Sequence, residues 1–516
     1  MPDDPAPADR TRPLFWLLAA AHVLVFTLVA ALTQPGLPLD LAEMIAWGNR
    51  WPLGTHKPPP LPCWVAEGLW VAFRTPWPIY LFAQLCTAAT FYGVWRLGRR
   101  LLTPWAALAA VAVLELSYYS HLTTLNLNHT ILCRPCWALF AWFLYEAVVT
   151  NRLRWWALAG LAVGLGMLSK YYMAAPVLAA CALPVVDRTA RSRLTGAGPY
   201  VCFAVALAVF APHLWWLVEH DFPTLAYVLR RGDVDERTAW SHLTEPAAFV
   251  VSQAGVFVPV LLALWPLLIG APVTTAEGRT PLARRWLALA VLVPPGLYVL
   301  AAGVTGGHVR AMWGGPLFNL LGIVALTFAH RLPARLRFSL IRPRRPAAFA
   351  YRLGTASLAV FAAASAGANV WGPALRGEPS RVHTPGPAIA AAAEAAWGEV
   401  SGDPVPVVGG PYYHAALANI YATDPAARPP LLYNFNEAAS PRTSDAAINA
   451  RGGVLIWDAR GDVLPVPDDL KRRFPRIRDA GTVLLPYLNA PGADPLPLVV
   501  KVVPPRPVRV AAAPDR

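Results

Sequence analysis

Charge is what this 516-residue chain has least of. Asp, Glu, Lys and Arg make up 14% of it, against roughly a quarter in an ordinary soluble domain. With 56% hydrophobic residues and a mean hydropathy of +0.41, that shortage excludes a water-soluble globular enzyme. Cysteine is also scarce. All six cysteines lie in or beside apolar segments, and the C-terminal tail has none, which excludes a disulfide framework there. Cys133-Arg-Pro-Cys136 has redox spacing but no thioredoxin-like strand context, so it reads as a pair of core thiols near a membrane face. No repeat of fixed period is visible. The N-terminal apolar run is too long for a signal peptide and lacks a small-residue cleavage site before Gln34-Pro35, so it reads as a retained signal-anchor.

Apolar runs long enough to cross a bilayer, about 17 to 25 residues, recur through the first three quarters of the chain. They are expected near 14–33, 79–96, 104–120, 131–149, 155–169, 172–187, 199–218, 247–270, 285–303, 313–330 and 353–371, with a kink around Ser169-Lys170. Acids are expected to keep out of these runs. Short cytoplasmic loops collect Lys and Arg. With the N-terminus inside, the inner connections hold Arg99-Arg100, Arg152 with Arg154, Arg188 with Arg191 and Arg193, Arg284-Arg285, and the run Arg331 to Arg345. The outer ones hold Asp40, Glu43, Glu219 and Asp221. These arginines account for the net charge of +14 and the pI near 9.8 as topological anchors, without nucleic acid.

The composition changes after Trp371. The remainder, 375–516, has no spanning run and is richer in Pro, Asp and Arg. Val405–Val408, Val454–Trp457, Thr482–Leu485 and Leu498–Val503 read as strands, with helices over Ala388–Trp397 and Tyr412–Tyr421 between them. This predicts a small α/β domain on the outer side, ending in a loose tail from Pro504 to Arg516. Residues 1–374 form the membrane part. Its long outer loop, 34–78, is predicted to hold an amphipathic helix over Leu39–Trp51, with Met44, Trp47 and Trp51 toward lipid and Asp40 and Glu43 toward water. Pro62–Phe73 is read as a helix lying in the interface.

Five outer connections carry polar groups. Asp40 and Glu43 share one helix face at spacing i, i+3. Either acid can take a proton from an acceptor hydroxyl, and equally Asp40 can be an N-cap with Glu43 completing a capping box. In His56-Lys57-Pro58-Pro59-Pro60 the prolines stiffen a loop that offers a fixed cation to a phosphate; taken by itself, Lys57 more readily snorkels to the interface. Asn126-Leu-Asn128 could bind a sugar hydroxyl or cap a turn. Lys170-Tyr171 places an ionisable group at membrane depth. Gly160, Gly164 and Gly166 before it read as helix-packing positions. Glu219-His220-Asp221 and His308-Val-Arg310 complete the set, with Arg310 suited to a phosphate or to an ion pair with Glu219 or Asp221.

The succession Asp40-Leu-Ala-Glu43-Met, Trp47-Gly48, Lys57-Pro58-Pro59-Pro60, Trp64 and Gly164-Leu-Gly-Met-Leu-Ser-Lys170 resembles glycosyltransferase family 39. More broadly it is similar to the superfamily of protein mannosyltransferases and lipid A aminoarabinose transferases, over roughly residues 14–330. The resemblance implies a polytopic α-helical membrane protein of the C-type glycosyltransferase fold, with about 11 spans and the small α/β outer domain. It implies an inverting transfer from a polyprenyl-phosphate sugar donor to a lipid, glycan or protein acceptor at the outer face of a bacterial inner membrane. Asp40 would be the base with Glu43 its neighbour, and Lys57 and Arg310 would hold the donor phosphate. The acids stand three apart where adjacent ones are commoner, and Asn128 stands where many relatives have an aspartate. His56, Asn128, Lys170, Tyr171, Glu219, Asp221 and His308 complete the expected substrate-binding set. A divalent metal near the acids stays open, since no decisive ligand set is visible. The rival reading is a transporter or flippase of a lipid-linked sugar, which calls for mid-membrane polar groups and matching halves.

Overall fold

The computed structural model describes residues 9–230, 238–270, 272–329, 343–440, 442–460 and 467–506. Residues 331–342 of the arginine run Arg331–Arg345 and the tail beyond 506 lie outside the described residues. The helices run in chain order α1 Thr11–Thr33, α2 Leu39–Gly48, α3 Leu61–Phe73, α4 Trp77–Leu101, α5 Pro104–Ala112, α6 His129–Thr150 and α7 Leu153–Ser169. They continue with α8 Ala174–Val186, α9 Arg188–Arg193, α10 Ala197–Glu219, α11 Pro223–Arg230, α12 Ser241–Leu268, α13 Pro281–Thr305, α14 Leu321–Phe328 and α15 Pro346–Val370. The last are α16 Gly372–Arg376, α17 Gly386–Gly398, α18 Tyr412–Ile420, α19 Asp445–Arg451 and α20 Pro467–Arg473. The chain divides into two compact units: 1–31, 58–62 and 75–366 form one, and 32–57, 63–74 and 367–516 the other.

In the first unit six helices, α1, α6, α10, α12, α13 and α15, are long and apolar enough to cross a membrane among the described residues. Helix α6 is its centre, with 89% of its apolar window buried, while Tyr200, Phe203 and Trp215 of α10 stay exposed, as lipid-facing side chains do. Small residues let the helices close up, since without a hydrophobic drive in lipid close backbone approach must supply the attraction. A Cβ on Gly160 would lie 2.2 Å from the Cys202 carbonyl, and one on Gly164 would lie 2.7 Å from Val209, so both glycines pack α7 on α10. The redox-spaced Cys133 and Cys136 are buried free thiols within α6.

Two expectations need correction in this unit. The run 104–120 is not one helix: α5 stops at Ala112 and 3-10 turns cover Val113–Leu116 and Tyr118–Ser120. Nor are acids kept out of apolar runs, because Glu115 and Glu146 are both buried. Each has a cationic or imidazole partner: Glu115 has His22 and His121, and Glu146 has Arg100 at 3.1 Å. The arginine-bearing loops meet at one end. Arg100 also binds Glu277, Arg285 pairs with Asp187 at 2.9 Å, and Arg193 donates to the Val148 carbonyl. Loops assigned to the same side by arginine content are thus neighbours.

The second unit is built on a five-stranded sheet. Its strands are β1 Val408–Gly410, β2 Leu431–Tyr433, β3 Gly453–Asp458, β4 Arg478–Leu485 and β5 Leu496–Val503, in the order β2-β1-β3-β5-β4. The first three are parallel, and β5 and β4 join antiparallel. Val407, Leu432, Leu455, Trp457, Phe474 and Val503 form its core. Strands β3, β4 and β5 and helices α17 and α18 lie where the sequence places them, while β1 starts only at Val408, the last residue of the expected Val405–Val408. Strand β2 is three residues long and follows Pro429-Pro430, too brief for an alternation pattern to register.

Helix α2 belongs to this unit and packs on α18. Met44 and Trp47, expected to face lipid, are 0% and 3% exposed, and Glu43, expected in water, is 4% exposed. Only Trp51, at 53%, keeps the expected environment. The amphipathic pattern was real, but its apolar face meets protein.

His414 in α18 gives this unit a pH signature. Burial, with Arg381 adding to it against the pull of Asp458, pushes its imidazole down to about 4 from 6.5. The unfolded chain therefore takes up this proton first. Stability present above about pH 6.5 drains away as pH falls toward 4, by as much as ~3 kcal/mol. Thermal melting against pH should show that slope, and His414→Gln should flatten it. An unchanged slope in the variant would assign the acid sensitivity to other groups.

Candidate active site

Helix α2 begins after Pro38, an N-cap residue that supplies no side-chain cap, which leaves Asp40 inside the first turn. The capping-box reading of Asp40 and Glu43 therefore fails. Asp40 is half-buried, and its carboxylate has no hydrogen bond or ion pair among the described residues. One turn on, the buried Glu43 receives the Lys57 ammonium at 2.7 Å. The same ammonium lies 5.0 Å from the centre of the Trp47 ring and 5.4 Å from that of Tyr412. His56 Nε2 and the Tyr412 hydroxyl are 2.8 Å apart, and the rings of Tyr412 and Tyr433 stack with centroids 5.2 Å apart. Lys57 is thus caged by two aromatic faces and an acid, and the snorkelling alternative does not hold.

Two buried donors in this cluster have no hydrogen-bond partner among the described residues, the Trp47 indole N–H and the Tyr433 hydroxyl. Burial pushes the Tyr433 pKa well above its usual value, so this hydroxyl stays a neutral donor. Unmet buried donors are uncommon in folded proteins and call for an explanation. A lysine ammonium has three N–H groups. Glu43 holds one of them, which leaves donors for an arriving anion.

The sheet-bearing segment fixes this arrangement. Arg428, 3% exposed, donates to Glu67 of α3 at 2.6 Å, to Asn419 of α18 at 2.8 Å and to the Ile45 carbonyl of α2 at 3.4 Å. The Tyr413 hydroxyl lies 2.6 Å from the Leu37 carbonyl just before α2, and Arg442 donates to the Asn49 carbonyl just after it at 2.7 Å. Gly48 is needed where α2 meets α3, because a Cβ there would lie 2.3 Å from the Cys63 carbonyl. Sequence reading missed Trp47 as a site residue, and with it Tyr412, Tyr433, Arg428 and Glu67. The signals were Glu67 alone in an apolar helix and Tyr412-Tyr413 after Gly409-Gly410-Pro411, a strand–turn–helix junction.

The remaining expected residues fall in the first unit. Asn128 caps α6, its Oδ1 accepting from the Thr130 and Ile131 amides at 3.0 Å each. Lys170, at the α7–α8 break, donates to the Thr130 hydroxyl at 2.9 Å and stands over Tyr172 and Trp313. Tyr171 and His213 Nε2 are 2.7 Å apart. These form a second polar group around the start of α6. His308 pairs with Glu245 at 2.7 Å. Glu219, Asp221 and Arg310 are exposed, and among the described residues Arg310 forms no pair with either acid.

Residues 56–216, less than half of the chain, match the family of dolichyl-phosphate-mannose-protein mannosyltransferases. The lipopolysaccharide core galacturonosyltransferase RgtB of Rhizobium johnstonii is 26% identical over 343 residues, covering 63% of this chain and 67% of that protein. RgtA of the same organism is 29% identical over 220 residues, 41% of this chain and 43% of its own length. Among solved structures, ArnT of Cupriavidus metallidurans bound to undecaprenyl phosphate aligns over 97% of this chain and 99% of its own, with a TM-score of 0.60 and 15% identity. The apo state of that protein gives a TM-score of 0.62 at 14% identity, over 94% and 97% of the two chains. At such identities the likeness is one of fold, and it extends over nearly the whole chain.

Proposed function

We propose that this chain is a membrane enzyme of the C-type glycosyltransferase superfamily and that it moves a sugar from a polyprenyl-phosphate donor to a hydroxyl of a lipid acceptor at the outer face of the bacterial inner membrane. The observation that carries this reading is the caged Lys57 ammonium beside two donors unmet among the described residues, Trp47 of α2 and Tyr433 of β2, with α2 also bearing Asp40. Asp40 takes the acceptor proton. The acceptor oxygen attacks the anomeric carbon, the carbon–oxygen bond to phosphate breaks with inversion, and the electron pair leaves with the polyprenyl phosphate. Lys57 meets the charge that develops on the leaving group, where a positioned donor acts most strongly. Glu43 keeps the ammonium in place.

The undecaprenyl phosphate held by a protein of the same fold supports the donor class. Two relatives named for the lipopolysaccharide core support a lipid over a protein acceptor. The arginine distribution supports an inner N-terminus, with the sheet-bearing segment outside. The transporter alternative gains no support from these relatives. Transfer in detergent micelles tests the reading, because micelles have no two compartments between which a transporter could work. Purified protein given polyprenyl-phosphate sugars and envelope lipids extracted from a deletion strain should yield a lipid heavier by one sugar, read by mass spectrometry. No such product from active donor extracts would sink the proposal.

A further inference from the structure

His22 of α1, Glu115 of the 3-10 turn after α5 and His121 are all 0% exposed, and one ligand atom from each lies within 4.8 Å of the others. The sequence reading passed over all three. Gln84 of α4 donates its amide to the Thr124 carbonyl at 2.6 Å. A carbonyl only accepts, so the Gln84 Oε1 faces His22 Nε2 at 3.1 Å and Nε2 must be the donor. His22 Nδ1 lies 3.0 and 3.1 Å from the two Glu115 oxygens. His121 Nε2 stands 2.8 Å from Glu115 Oε2, yet neither ring nitrogen of His121 has a hydrogen-bond partner in good geometry. Two imidazoles thus converge on one buried carboxylate, with the His121 nitrogens still to be satisfied. Arg134 is coupled to Glu115 but donates to the Tyr119 carbonyl at 2.5 Å.

We infer that His22, Glu115 and His121 form a structural binding site for a divalent transition metal of the zinc class, pinning the broken segment after α5 to α1. Two imidazoles and a carboxylate suit such an ion, with bonds of about 2.0–2.2 Å. A tetrahedron of that size sets its ligand atoms about 3.3 Å apart, so contacts now at 2.8 to 3.1 Å need to widen by only a few tenths. Gln84 holds the far nitrogen of His22, as polar neighbours of metal-bound histidines do. This inference is independent of the transfer chemistry.

The test uses the full chain, purified in detergent without a histidine tag, offered zinc and then passed through metal-free buffer. Elemental analysis should find about one zinc per chain. Glu115→Gln and His121→Gln should each retain less than about a tenth of it, and His308→Gln, at the other His–Glu pair, should retain all of it. No zinc on the parent chain would overturn the inference and leave a proton-held cluster. Full retention by both Glu115→Gln and His121→Gln would overturn it too. Should those variants fail to fold, X-ray absorption of the parent decides: nitrogen and carboxylate scatterers are expected, and sulfur or oxygen-only ligation refutes the site.

Discussion

Asp40→Asn is expected to lower sugar transfer at least about a hundredfold, the lower bound for a group that moves a proton in the transition state, with the amount of folded protein in the membrane unchanged. The structure makes this substitution unusually clean. Asp40 caps nothing, because the N-cap position is Pro38, and its carboxylate has no partner among the described residues. Its negative charge in the first turn of α2 is worth about 0.3–1 kcal/mol against the helix dipole. Asparagine keeps the size and removes the basicity. Initial rates of transfer in micelles, beside melting curves of the two proteins, separate chemistry from folding. Near-normal transfer by Asp40→Asn would eliminate it as the base.

The second large effect concerns the donor phosphate, and here the structure changes the experiment that sequence alone would suggest. Lys57 is not a surface lysine: its side chain is 20% exposed and paired with a Glu43 side chain that is 5% exposed. Lys57→Ala would strand a buried carboxylate at a cost of about 3–5 kcal/mol, mixing a folding defect with a binding one. The informative variant combines Lys57→Met with Glu43→Gln, which removes both charges and keeps both volumes. Charge-assisted contacts are worth about 1.5–3 kcal/mol each, so polyprenyl-phosphate affinity should fall about ten- to a hundredfold while the melting temperature holds. Glu43→Gln alone should keep more affinity than the double variant, since the ammonium stays caged by Trp47 and Tyr412. Parental affinity in the double variant would move the phosphate site elsewhere, with Lys170 the next cation to test.

Much of this was legible in the sequence, and the failures share a cause. Long apolar helices announce themselves because a bilayer demands length and apolarity together, so α1, α10, α12 and α13 fall on expected runs. Asp40, Glu43 and Lys57 were visible because charge is rare here. What could not be read was who covers whom. The apolar stripe of α2 has one periodicity whether it meets lipid or α18. Trp47 was therefore assigned to lipid, and Tyr412 and Tyr433 had no visible link to Lys57. The segment 104–120 failed differently: its composition suits a span, but Glu115 and His121 need mutual contact that a regular helix would deny them. Asn128, expected to serve either sugar or turn, caps α6.

Arg428 reaches Glu67 across 361 positions of chain, which sets an order of events at birth. At roughly 5–20 residues per second, the ribosome delivers the arginine tens of seconds after the helix it must clasp has already left. Throughout that interval α2 and α3 exist without their clasp, and Lys57 without Tyr412. On the proposed function, no transfer is expected until the chain has been made past Tyr433. A chain that stops before Arg428 lacks the contacts that hold Glu67 and the Ile45 carbonyl.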